Sequence, residues 1–172
     1  MAGTKGKQTV RDMVLSLGLI VLAAWVIYLF IPHGDTEREL KRVDYRVELL
    51  TARRAASYPV AAPEGLPDTW KATSVRFRGD ESDRWHLGFH DPEGQYVAVE
   101  QSAEEPSRFI PDATRDAKKT GATRQIGDET WTRYEGERYD ALVVEREGST
   151  TVVAGTAPFA QLTKMAQALK TE

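Results

Sequence analysis

Residues Met13–Ile31 read MVLSLGLIVLAAWVIYLFI, a run without a single charge. As a helix rising ~1.5 Å per residue it would cover about 28 Å, close to the ~30 Å hydrocarbon core of a bilayer. A helix buried inside a globular domain usually keeps a polar stripe, which this run lacks. The expectation is therefore a transmembrane helix. Lys5, Lys7 and Arg11 precede it, partly offset by Asp12, while Pro32, His33, Gly34 and Asp35 follow. Positive charge favours the cytoplasmic side, so the N-terminus is expected inside and everything after Pro32 outside, at the cell envelope. Trp25, Tyr28 and Phe30 gather at the outer end, where amphipathic rings settle among headgroups. The competing assignment is a cleaved signal with Val21-Leu22-Ala23 as its processing site. The apolar residues that continue from Trp25 to Ile31 favour an uncleaved signal-anchor.

This divides the 172-residue chain into a cytoplasmic basic arm (1–12), a membrane helix (13–31), a juxtamembrane helical stalk (32–57) and an extracytoplasmic α+β domain (58–172). Within the stalk, Leu40, Val43, Val47 and Leu50 recur at three- and four-residue spacing, an apolar stripe that could pair two chains as a weak homodimer or pack on its own domain. Asp44 and Tyr45 are where such a helix would break. Tyr58–Pro67 (YPVAAPEGLP) carries three prolines and reads as a turn-rich lead-in, because proline fixes φ and has no N–H to donate.

Beyond it the periodicity changes to two. Val75 and Phe77, then Trp85, Leu87 and Phe89, then Val97 and Val99 alternate with polar residues, as strands with one buried face do. Asp91-Pro92-Glu93-Gly94 fits a type I turn. A loop and short helix are expected over Pro106–Lys119, closed by Gly121, followed by strands at Gln125-Ile126, Thr130–Tyr134, Ala141–Glu145 and Thr150–Ala154. A helix from Pro158 to Lys170 ends the chain, with Phe159, Leu162, Met165, Ala166 and Leu169 on one side. Each block runs strand, Glu-Gly turn, strand, helix, so the expected fold is an antiparallel sheet with helices packed on one face, built from two similar halves.

Several chemistries are excluded outright. Without cysteine there is no disulfide framework, thiolate metal site or cysteine nucleophile. Without asparagine there is no N-glycosylation. Basic residues are spread along a chain of net charge −3, so nucleic-acid binding, which needs clustered cations, is set aside. His86 and His90 stand four apart, but on a strand that separates them by ~13 Å, too far to share a metal ion. They are expected to face solvent, opposite the core. No Gly-x-Ser-x-Gly elbow, Ser-x-x-Lys pair or phosphate loop occurs. The sequence therefore names no catalytic, metal or cofactor-binding residue and no cofactor. Trp70, Trp85 and Trp131 are expected to fill the core, with Trp70 and Trp131 the alternative lining of a ligand groove.

The basic arm and single apolar segment, Tyr58-Pro59-Val60 with Pro63 and Gly65-Leu66-Pro67 before Trp70, Trp85-His86-Leu87-Gly88, Gln101-Ser102 and Gly155-Thr156-Ala157 before a helix occur here in an order that resembles the actinobacterial membrane proteins grouped as domain of unknown function 4245. The resemblance implies an actinobacterial source and an anchored extracytoplasmic domain, and it brings no activity or catalytic residues. The functional expectation is a non-catalytic module that binds an envelope protein or a small ligand. The alternatives are an enzyme, or accessory subunit, with an unrecognised site and a self-associating envelope protein.

Overall fold

The computed structural model describes residues 5–30 and 42–171, with the side chains of the first helix described over residues 12–26. The chain forms two compact units, residues 1–39 and 40–172. In the first, helix α1 (Lys5–Phe30) exposes every described side chain, Met13, Leu19, Ile20 and Trp25 among them. Among the described residues no helix is long and apolar enough to cross a membrane. The expected span Met13–Ile31 exceeds the described stretch of α1 at its outer end, and Ile31, Pro32, His33 and Leu40 lie outside the described residues.

The second unit is an α+β fold on a seven-stranded antiparallel sheet, ordered β2-β3-β4-β8-β7-β6-β5. Its strands are β2 (Lys71–Arg78), β3 (Arg84–His90), β4 (Tyr96–Ser102), β5 (Lys118–Ile126), β6 (Glu129–Glu135), β7 (Asp140–Arg146) and β8 (Ser149–Gly155). Helices α2 (Arg46–Ala55), α3 (Pro106–Thr114) and α4 (Phe159–Ala168) cover it, and the short strands β1 (Ala62–Pro63) and β9 (Leu169–Lys170) pair with each other. The expected turns are in place. Gly94 N–H donates to the Asp91 carbonyl at 3.0 Å, and Gly148 closes the β7–β8 hairpin at φ 79°, a value that favours glycine.

The two meanders, β2-β3-β4 and β6-β7-β8, meet where β4 pairs with β8, so the two-block layout is present in the strand order. The helices do not follow it, and the expectation of one covered face needs correction. Trp85, Leu87, Phe89, Val97, Val99, Leu142 and Val153 pack with Ala52 of α2 and Leu162, Met165 and Ala166 of α4 on one face. On the other, α3 places Phe109, Ile110 and Ala113 against Ala141, Val143, Val152 and Ala154. Sequence periodicity shows that a helix has an apolar side but not which face of the sheet receives it.

Two further expectations change. The third helix stops at Thr114 rather than Lys119, because Arg115 (φ 56°) and Asp116 (φ 65°) turn left-handed without a glycine and Lys118 already begins β5. Among the described residues the stalk is helical from Arg46 to Ala55, and the phase of this helix is different. Tyr45, Leu49, Ala52 and Ala56 face the core, whereas Val47 and Leu50 of the expected stripe are 74% and 55% exposed. Val43, ahead of the helix, donates its N–H to the Ala72 carbonyl at 2.9 Å, and Glu48 Oε1 accepts the Phe77 N–H at 3.3 Å. This segment thereby shields the edge strand β2, which would otherwise offer unpaired backbone groups.

A buried polar knot fixes the proline-rich lead-in. Gln101, fully buried, accepts the Ala61 N–H at 2.6 Å and donates to Thr151 Oγ1 at 2.9 Å, while Trp85 Nε1 donates to the Ala61 carbonyl at 3.0 Å. The Tyr58 hydroxyl donates to the Asp83 carbonyl. Burial, reinforced by the Asp83 charge, pushes the Tyr58 pKa upward, and burial also raises those of Tyr45, Tyr96 and Tyr134. A raised tyrosine pKa contributes stability that is fully present below the ordinary value of ~10 and is lost as pH climbs above it. Tyr58→Phe is expected to cost about 1 kcal/mol near neutral pH through the lost hydrogen bond. The difference from wild type should narrow in urea unfolding at alkaline pH, whereas an unchanged gap would contradict this account of Tyr58.

Candidate functional site

Alternation on β2, β3 and β4 sends Val75, Phe77, Trp85, Leu87, Phe89, Val97 and Val99 into the core. The intervening residues must emerge on the other face, and α3 packs on β8 and β7 instead. That face carries exposed Arg76 and half-buried Ser74 from β2, half-buried Arg84, His86 and His90 with buried Gly88 from β3, and half-buried Tyr96 and Glu100 from β4.

Register then builds a chain of side chains. His86 lies opposite Arg76 on one side and Glu100 on the other, with Ser74 two residues along from Arg76, opposite Gly88. Glu100 Oε1 lies 2.6 Å from His86 Nδ1, and Ser74 Oγ lies 2.8 Å from His86 Nε2. With Nδ1 protonated, the imidazole donates to the carboxylate and accepts from the serine hydroxyl. Glu100 and His86 are largely shielded, with side chains 12% and 23% exposed, so the carboxylate is oriented away from bulk water. Gly88 leaves the room this needs. A Cβ there would come within 2.3 Å of Ser74 Oγ and 2.7 Å of Tyr96 Oη. Burial raises the Tyr96 pKa, its hydrogen bond with Ser74 opposing, which keeps the phenol neutral.

Beside this chain lies a pocket of about 280 Å³ lined by Arg76, Arg84, His86, Glu100, Asp112 and Arg115, among others. Arg84 is occupied: it bonds Asp112 at 2.6 Å, lies 3.9 Å from Glu100 and stands 5.4 Å over the Phe109 ring. It thereby ties α3 to the sheet. Arg78 pairs with Glu81. Arg76 and Arg115 have no ion-pair partner among the described residues. Arg115 reaches this position from the left-handed end of α3, a conformation that costs of order 1–3 kcal/mol for a non-glycine residue.

The sequence reading placed His86 and His90 on the non-core face, and the structure places them there. They are half-buried and do not simply face solvent. Both His86 ring nitrogens are engaged, and His90 packs edge-on against Tyr96 at 5.6 Å with Thr73 Oγ1 3.4 Å from Nδ1. Among the described residues no group of three His, Asp or Glu could hold a metal ion. Trp70 and Trp131 are core residues, 1% and 2% exposed, and they do not share a groove. Trp131 backs a depression of about 520 Å³ beside the Glu129–Arg146 ion pair, and Trp70 a separate one of about 150 Å³. Ser74 and Glu100 were not legible as site residues. No motif joins positions 74, 86 and 100; only the strand register does.

The fold and this patch define a small α+β domain with one closed and one partly open sheet face, the open part carrying a serine–histidine–glutamate chain beside Arg76 and Arg115. The family model described as Protein of unknown function (DUF4245) matches residues 5–169, nearly the whole chain, and the protein belongs to that family. Among curated proteins none matches the chain.

The hydrogen-bond order requires His86 to be the Nδ1-protonated tautomer when neutral. Long-range proton–nitrogen NMR is expected to show that tautomer, and Glu100→Ala should abolish the preference. A dominant Nε2-protonated ring in the wild type would break the proposed order.

Proposed function

We propose that this protein is a single-pass membrane protein whose extracytoplasmic domain binds a small oxyanion, a carboxylate or phosphate group, on the open face of its sheet. The observation that carries the reading is the pair Arg76 and Arg115, cations on the wall of a 280 Å³ pocket with no ion-pair partner among the described residues. Guanidinium forks match the two-oxygen edge of carboxylates and phosphates. Both residues are exposed, so an anion can reach either guanidinium directly from solvent and form charge-assisted hydrogen bonds with it. The membrane tether is supported by the uncharged run Met13–Ile31 and the basic residues before it, with the N-terminus on the cytoplasmic side. The cysteine-free, asparagine-free composition is compatible with an envelope location and an actinobacterial source.

Calorimetric titration of the full chain in detergent micelles, with inorganic phosphate in one arm and succinate in the other, separates the two sources of the anion. Binding in at least one arm is expected, weakened roughly tenfold or more in Arg76→Ala and in Arg115→Ala, since a charge-assisted hydrogen bond is worth ~1.5–3 kcal/mol. No binding in either arm, or affinity unchanged in the double variant, would overturn the reading.

A second reading is favoured by Val47 and Leu50, exposed one turn apart on α2. They form an apolar face through which two copies can associate, consistent with a weak homodimer. Sedimentation of the full chain in micelles is expected to show a concentration-dependent dimer that Val47→Asp removes. A monomer at every concentration would sink this reading.

A further inference from the structure

We propose that Ser74 is the nucleophile of an acyl-transfer reaction on a carboxylic ester, with His86 as its base and Glu100 holding the imidazole. A nucleophile–base–carboxylate arrangement is recognised by geometry and roles and recurs on unrelated folds in different chain orders. Here its two links measure 2.8 Å from Ser74 Oγ to His86 Nε2 and 2.6 Å from His86 Nδ1 to Glu100 Oε1, within the ~2.6–3.2 Å such pairs require. The three residues come from three neighbouring strands, so the sheet ladder itself holds them in position. Gly88 lets Ser74 Oγ and Tyr96 Oη pack directly over the strand, where a Cβ would come within 2.3 Å and 2.7 Å of them, so a neutral phenol hydroxyl stands beside the proposed nucleophile.

In the first half-reaction Ser74 Oγ forms a bond to the carbonyl carbon while its proton passes to His86 Nε2. The carbonyl electron pair moves onto oxygen, where the Tyr96 O–H can donate to it. The pair then returns, the bond to the ester oxygen breaks, and the departing alkoxide takes the proton from His86 to leave as an alcohol. Water repeats the sequence on the acyl-serine: its proton goes to His86, its oxygen bonds the carbonyl carbon, and Ser74 recovers the proton as the carboxylic acid leaves. Ester and water are consumed, acid and alcohol are formed, and no cofactor is required. The choice of ester rests on the oxyanion-binding reading. Arg76 lies two residues along the same strand face from Ser74, ~7 Å away, and so selects an ester with a negative charge at about that distance from the scissile carbonyl.

The test exposes the full chain in detergent micelles to diisopropyl fluorophosphate, alongside a serine hydrolase that the reagent saturates. The expected result is one diisopropylphosphoryl group per chain, formed as Ser74 Oγ bonds phosphorus and fluoride leaves, with peptide mapping placing it on Ser74. His86→Ala should slow labelling by about 10²-fold or more, and Ser74→Ala should abolish it. Wild-type chain unlabelled at Ser74 would overturn the proposal without relying on any variant to fold. Labelling undiminished in a folded His86→Ala chain would overturn it equally. The reagent carries no anionic group, so the two readings fail separately: anion binding without labelling removes only the esterase, and labelling without anion binding removes only the oxyanion site.

Discussion

A twisted sheet of seven strands presents two faces, and any part left without a helix must be made from side chains that water tolerates. In this domain the helices are unevenly shared. α2 and α4 close one face from β2 to β7, and α3 closes the other over β7 and β8 alone. The remainder of that second face, on β2, β3 and β4, carries Ser74, Arg76, Arg84, His86, Tyr96 and Glu100, and the ionisable groups of Arg84, His86, Tyr96 and Glu100 are held partly out of water. The rest of the site follows from this. Strand register sets the spacing of the polar chain, Gly88 makes room within it, and Arg84 bolts α3 down at its margin.

Much of the fold could be read from the residues. Alternation at Trp85–Phe89 and at Val97 and Val99 located β3 and β4, and Asp91-Pro92-Glu93-Gly94 located the turn between them. The errors have separate causes. The stripe through Val47 and Leu50 was counted across Asp44 and Tyr45, the break the sequence itself suggested, and neither residue is helical. Counted from Arg46, the phase passes to Tyr45, Leu49, Ala52 and Ala56. The third helix ended early because Arg115 and Asp116 adopt left-handed backbone, a choice made by the surrounding structure and not announced by a glycine.

The site was legible only in part. His86 and His90 were assigned to the right face, since alternation decides that much. The partners of His86 sit 12 residues before and 14 residues after it, and a hairpin register one residue different would have sent Ser74 or Glu100 into the core. The tryptophans illustrate the opposite limit. Trp70 and Trp131 are the residue type that lines ligand grooves, yet here each is buried as a structural anchor, and the proposed chemistry rests on residues that carry no motif.

The central claim is that the open face over β2–β4, and not the larger depression near Trp131, is where this protein meets its ligand. Amide-shift mapping by NMR on the full chain in micelles, with succinate or phosphate added, tests that location directly. The account predicts perturbations concentrated at Ser74, Arg76, His86, Glu100 and Arg115. Shifts centred instead on Glu129, Trp131, Arg146 and Lys170 would place the site elsewhere and contradict it.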